Sequence, residues 1–312
     1  MKKIFSIFML ALISATMMAV ETEYLPISVY AVDDTERFPE GAKAMVENKL
    51  TQLLTRNGIA GLNYLGQFVL TVSTTPLDKD VIPGPPQKIA EKMEMNLYIA
   101  DTYAKTIFAS TSLTVRGLGE TETKCYLNAF RNMPLQTPQI AQFIEQGKTK
   151  IIEYYDHEGE NLMKKAMYLA QQKSYEEALF IISLIPQQSK HYDAALATGL
   201  DIYQMYLDNQ CNMNLAEARM AWAAEQNSIG AEKAGKFLAN ILPDAGCYDE
   251  AMALYQEIKN KVLDDWKFEM KKYDDSIDLE RRRIDAARQV GVAYGNHQPA
   301  QKTTIEFLRT LL

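Results

Sequence analysis

"VRGLGETETKCYLNAF", Val115 to Phe130, decides between two folds. A β-branched, apolar run ends at Gly117-Leu118-Gly119, and a helical pattern follows. Phosphate-binding α/β proteins open their first helix at such a junction. The dinucleotide fingerprint, however, requires a third glycine where Glu122 stands, and a Walker loop requires Gly-Lys-Ser/Thr after four spacers. Glu120 and Glu122 fall in the first helical turn, where carboxylates favour the helix dipole and repel a phosphate. The stretch is therefore read as a strand-to-helix turn, with Gly117 and Gly119 freeing the backbone and Thr121 or Gly119 as cap.

Working back toward the amino terminus, periods of two and of 3.6 alternate. "LPISVYAV" (25–32) reads as a strand, rich in β-branched and aromatic residues. "PEGAKAMVENKLTQLLTRNGI" (39–59) reads as a helix. Pro39 suits its first turn, Met45, Val46, Leu50, Leu53 and Leu54 form one stripe, and Asn57-Gly58 ends it. "GQFVLTVSTT" (66–75) is a second strand, and "PLDKDVIPGPP" (76–86) reads as a loop. "KIAEKMEMNLYIAD" (88–101) turns Met93, Met95, Leu97 and Ile99 inward as a third strand. "TYAKTIFASTSLTVRG" (102–117) pairs with it through a turn near Asp101 to Lys105. The order β-α-β-β-β-α predicts an α+β domain over 20–135, a mostly antiparallel sheet with helices on one face.

Residues 136–312 read as all-helical, and they repeat. "SYEEALFIISLIP" (174–186), "NLAEARMAWAAEQ" (214–226) and "CYDEAMALYQEI" (247–258) each carry a large apolar residue, then x-Glu-Ala. The small Ala lets helices approach, and the large residue on the same face fills the gap between pairs. Breaks are expected at Lys173, Asp208 to Asn214, and Pro243 to Gly246. From Tyr248 to Val290 the helical spacing continues. Two readings stand there: one helix of about 60 Å at 1.5 Å per residue, or a break at "YDDSIDLE" (273–280), where Asp274, Asp275 and Ser276 can cap a new helix.

The first 19 residues read as a signal peptide. Lys2 and Lys3 precede an apolar run from Ile4 to Ile13, and small residues follow up to Ala19. The run is shorter than the roughly 20 residues a spanning helix takes. The first cysteine is Cys125, so no lipoprotein cysteine stands at the expected cleavage site. A periplasmic or secreted chain without an integral membrane segment is expected. About 290 residues then remain, enough for two domains. The net charge of −7 argues against a nucleic-acid partner, which needs a basic face. Three cysteines are too few for a disulfide scaffold. Cys211 and Cys247 lie in neighbouring helical units, and either one bridge between them or three unpaired thiols fits.

The catalytic inventory is thin. His157, His191 and His297 are the only histidines, none at a metal-ligand spacing. "YYDHEGE" (154–160) clusters Asp156, His157, Glu158 and Glu160 but reads as a solvated joint, and Asp33, Asp34 and Glu36 as a polar loop. No catalytic, cofactor-binding or metal residue is assigned. The expected binding residues are large aromatics on helical stripes, which mark a core or a protein-contact face: Tyr175, Tyr203, Tyr206, Trp222, Tyr255 and Trp266.

Two family resemblances add to this. "KSYEEALFIISLIP" and "AGCYDEAMALYQEI" resemble degenerate tetratricopeptide-type repeats over about residues 160–260. "LPISVYAVDDTERFPEGAKAMVENKLTQLLTRNGI" and "NLYIADTYAKTIFASTSLTVRGLGETETKCYLNAFRNM" resemble the envelope family that includes the curli secretion subunit, the lipoprotein activators of penicillin-binding proteins and a flagellar T-ring protein. That resemblance covers residues 25–133 and implies a docking domain without catalytic residues. The expectation is an exported, non-enzymatic adaptor or scaffold that binds envelope proteins. The alternatives are an envelope enzyme, or a small-ligand or metal binder, with a site between the two domains and Asp33, Asp34, Asp156, His157 and Glu158 as its suspects, or a structural subunit of a repeated assembly, a homo-oligomer with the C-terminal helical stretch as its contact.

Overall fold

The computed structural model describes residues 25, 27–31, 42–59, 61–62, 67–262, 268–271, 279–297 and 307. The first part is an α+β unit: β1 (Ile27–Val29), α1 (Ala42–Arg56), β2 (Gly61–Leu62), β3 (Phe68–Ile82), β4 (Lys88–Asp101), β5 (Thr106–Gly119) and α2 (Glu122–Asn132). The strands form one sheet in the order β2-β1-β3-β4-β5. β1 runs parallel to β2 and β3, while β3, β4 and β5 form a long antiparallel meander. Helices α3 (Pro138–Gln171), α4 (Tyr175–Ser183), α5 (Tyr192–Ala224), α6 (Ser228–Leu238), α7 (Tyr248–Val262) and α8 (Leu279–His297) follow.

The period-two pattern of β4 sets the covered face. Met93, Met95, Leu97 and Ile99 are buried, and Lys92, Glu94, Asn96 and Tyr98 between them are not. Thr74, opposite Met95, shares a hydrogen bond with the Tyr126 hydroxyl at 2.9 Å, so α2 lies on that face. α3 begins there too, because a Cβ on Gly147 would come 2.5 Å from Ile99.

The junction at Val115–Phe130 is a strand-to-helix turn. β5 continues to Gly119, and the Thr121 hydroxyl caps α2 by accepting from the Lys124 N–H at 3.2 Å. Cβ atoms on Gly117 or Gly119 would run into the Cys125 backbone, so these positions are glycine because α2 folds straight back onto the strand. Glu120 pairs with Lys124 and Glu122 with Lys79, and these bonds hold both carboxyls below their ordinary range.

Two expectations require correction, and of the two readings of Tyr248–Val290 the single helix falls. "PLDKDVIPGPP" is not a loop throughout: β3 runs on to Ile82, paired with β4, and only residues 83–87 connect the strands. Pro76 is tolerated because β1 pairs only with Phe68 to Leu70, leaving the rest of β3 at the sheet edge, and because a register shift follows between Pro76 and Asp78. The expected break at Asp208–Asn214 is absent, and α5 is one helix of 33 residues. Leu207, Cys211, Leu215, Ala218 and Trp222 form a continuous buried stripe, whose packing outweighs the weak helix propensity of the nearby asparagines. The helix entered at Tyr248 does not run to Val290, because Phe268–Met270 are not helical and Phe268 packs on Gly235 of α6. Asp274 to Ser276 lie outside the described residues.

α3 joins the two parts. Its first half buries Ile140, Phe143, Ile144 and Ile151, and its second half buries Tyr155, Ala166 and Ala170. It contacts β5 as well as α4 and α5. Farther along, the Cys211 and Cys247 sulfurs are bonded, with Cα atoms 5.9 Å apart, tying α5 to the start of α7; Cys125 is a buried free thiol.

Candidate functional site

Where the sheet meets the helices, β4 ends in a polar residue. Asp101 is fully buried. One carboxylate oxygen accepts the N–H groups of Tyr103 and Ala104, each at 2.8 Å, which closes the β4–β5 turn. The other accepts the Tyr155 hydroxyl at 2.6 Å and the Gln67 amide at 3.0 Å. Gln67 also donates to the Leu184 carbonyl at 3.1 Å, after α4. Burial and then the Asp101 carboxylate push the Tyr155 phenol far above its ordinary range, so it stays a donor. β3, β4, α3 and the end of α4 thus meet at one hydrogen-bonded node.

A cavity of about 440 Å³ lies next to this node. Gln67 and Phe68 form its sheet side, the end of α4 and the first turns of α5 its floor, and Ile284, Asp285 and Arg288 of α8 a further wall. α8 is held close because Gly291 packs against the backbone of Leu179 and Phe180, where a Cβ would come within 2.6 Å of a main-chain atom. Leu179, Ile182, Leu184, Ile185, Leu196 and Leu200 supply apolar lining.

The described ones among the expected binding aromatics do not line this cavity. Tyr175, Tyr203, Trp222 and Tyr255 are buried in the core, so they do not present a docking face; their helical spacing marks inter-helix packing. Tyr206 is half-buried and meets both Tyr175 and Tyr203, each with ring centroids 6.1 Å apart. Trp266 lies outside the described residues, as do Asp33 and Asp34. Asp156 takes a structural part: it accepts the Ser189 hydroxyl and the Lys190 N–H, each at 2.8 Å. Partial burial would raise its pKa, but these bonds outweigh it and lower the carboxyl. His157 and Glu158 pair with each other at 2.8 Å, with the histidine exposed. Of the suspects of the inter-domain alternative, the described ones, Asp156, His157 and Glu158, do not line the cavity. No group of metal-ligating residues occurs among the described residues. Sequence reading missed Gln67 and Tyr155; the available signal was Asp101, a carboxylate ending an inward apolar alternation.

The fold so defined is a mixed-sheet α+β unit continued by a helical array. No family model matches the chain. No curated protein is significantly similar to it. A solved structure of a minor lipoprotein from Acinetobacter baumannii is similar at 19% identity, covering 41% of this chain and 93% of that one, with a TM-score of 0.25. At that score the likeness carries no argument.

Proposed function

We propose that the protein is an exported, non-enzymatic scaffold of the bacterial cell envelope that holds two protein-binding surfaces in fixed relation. The observation that carries this reading is the unbroken α3, packed along one helix against both the sheet and the helical array and locked midway by Tyr155. A bridging protein needs such a join, since inter-domain motion is otherwise the default. Export is supported by the Cys211–Cys247 bond, because disulfides persist in oxidising compartments. No helix among the described residues is long and apolar enough to cross a membrane.

The α+β unit is read as the docking domain of the envelope family that its sequence resembles. The helical part is read as a degenerate tetratricopeptide-like array. Its support is three bonds that tie one helix to the second helix on, or to the turn just before it: the Ser189 hydroxyl, before α5, to Asp156 of α3, 33 residues apart; Trp222 of α5 to Glu257 of α7, 35 apart; and the Gly246 N–H, before α7, to Asp208 of α5, 38 apart. Cross-linking in the native cell, followed by identification of attached proteins, tests the reading. Reproducible envelope partners reached from both halves are expected, and attachment to none would refute it.

A further inference from the structure

We propose that the cavity between the start of β3, α4, α5 and α8 binds a short apolar peptide with free ends, of dipeptide size. This does not rest on the scaffold reading. The volume of about 440 Å³ lies within the roughly 300–1,000 Å³ usual for small-ligand sites. The apolar floor of Leu179, Ile182, Leu196 and Leu200 suits aliphatic side chains. A single amino acid would leave much of that space unfilled.

Beside the neutral side chains of Ser183, Gln187, Gln188 and Tyr192, the lining offers helix ends, charged groups and Gln67, and these sort by sign. The Gln67 amide nitrogen donates to the Asp101 carboxylate and the Leu184 carbonyl, both acceptors, so its orientation is set. Its Oε1 has no donor among the described residues, and Gln67 lines the cavity, so in this proposal Oε1 is its free acceptor there. The carboxyl end of α4, at Ile182 to Ile185, lines the same space and favours a cation. The amino end of α5, from Tyr192, lines it too and favours an anion. Asp285 and Arg288, one turn apart on α8, add one charge of each sign, and neither has an ion-pair partner among the described residues. An apolar body with an ammonium at one end and a carboxylate at the other matches all of these together. The ammonium is assigned to Gln67 Oε1, the α4 end and Asp285, and the carboxylate to Arg288 and the start of α5.

Isothermal titration of the mature chain with Leu-Leu, N-acetyl-Leu-Leu and Leu-Leu-amide tests this. Leu-Leu is expected to bind, and blocking either end to weaken it by about tenfold, the loss of one ionic contact. Arg288→Gln should weaken Leu-Leu by about tenfold and leave Leu-Leu-amide unchanged. Arg288 is exposed, so this variant keeps the fold, and Leu196→Trp, which fills the cavity, should abolish binding of all three. No binding of Leu-Leu up to about 10 mM, or equal binding of the three peptides, would overturn the proposal.

Discussion

Tyr155 donates a 2.6 Å hydrogen bond to Asp101 across 54 residues of chain, joining the middle of α3 to the end of β4. Both residues are buried, and Gln67 completes the contact with the carboxylate. A hydrogen bond to a charged group contributes about 1.5–3 kcal/mol, and losing it leaves a buried acceptor under-satisfied. Tyr155→Phe keeps the ring contact with Phe68 but removes the donor. It is expected to lower stability by about 2 kcal/mol. Urea unfolding followed by circular dichroism measures this, and an unchanged midpoint would show that the node is not part of the join.

The same phenol sets an alkaline limit. Burial, and then Asp101, raise the folded-state pKa of Tyr155 above the ordinary 10.0. Tyr126 is raised likewise by burial. A raised acid contributes stability that is fully present below the unfolded-state pKa and is lost as pH climbs through and beyond it. Stability should therefore fall once pH exceeds about 10, and Tyr155→Phe should flatten that fall. Unfolding midpoints for both chains from neutral to strongly alkaline pH check the slope.

Some of this was legible in the sequence and some was not, for physical reasons. The alternation of Met93, Met95, Leu97 and Ile99 names the covered face of β4, because a half-buried strand must alternate. The prolines from Pro76 to Pro86 read as loop, yet an edge strand tolerates a residue without an N–H, and edge status depends on which strand pairs where. Aromatic stripes such as Tyr203 and Trp222 are ambiguous in kind, since a face packed on the next helix and one offered to a partner share the same period. The node was invisible because Gln67 and Tyr155 stand 88 residues apart, and only the closed fold brings them together.

The disulfide should carry much of the stability of the helical array. Cys211 and Cys247 close a segment with a sequence separation of 36 residues. In the chain-entropy model a loop of that length contributes roughly 4 kcal/mol. Replacing both cysteines with alanine is expected to lower the urea midpoint accordingly. In the unmodified chain, thiol titration under denaturing, non-reducing conditions should find Cys125 alone. Three reactive thiols in protein purified from its native compartment would refute the bond and weaken the case for export.

Gln188 offers a gain. Both atoms of its side-chain amide are buried without a hydrogen-bond partner. An unsatisfied buried polar group costs about 1–3 kcal/mol, whereas an apolar side chain of the same shape does not. Gln188→Met is expected to raise stability by about 1 kcal/mol. A lower melting temperature for the variant would show that the amide is satisfied in solution.

Gly119 tests whether the junction at Val115–Phe130 is the tight turn described. A Cβ there would overlap the Cys125 backbone, and the neighbour cannot rotate away because it is main chain inside α2. Gly119→Ala must push α2 off the sheet, with a cost of about 3 kcal/mol, at the upper end for overpacking. Gly84 is the control. It lies in the β3–β4 connection, its added Cβ would meet only the Pro86 carbonyl at 3.7 Å, and Gly84→Ala should change stability by less than about 0.5 kcal/mol. Thermal melts of the two variants side by side decide the matter. Equal small effects would mean that α2 does not fold back onto β5 at that distance, and the glycines would then need a different explanation.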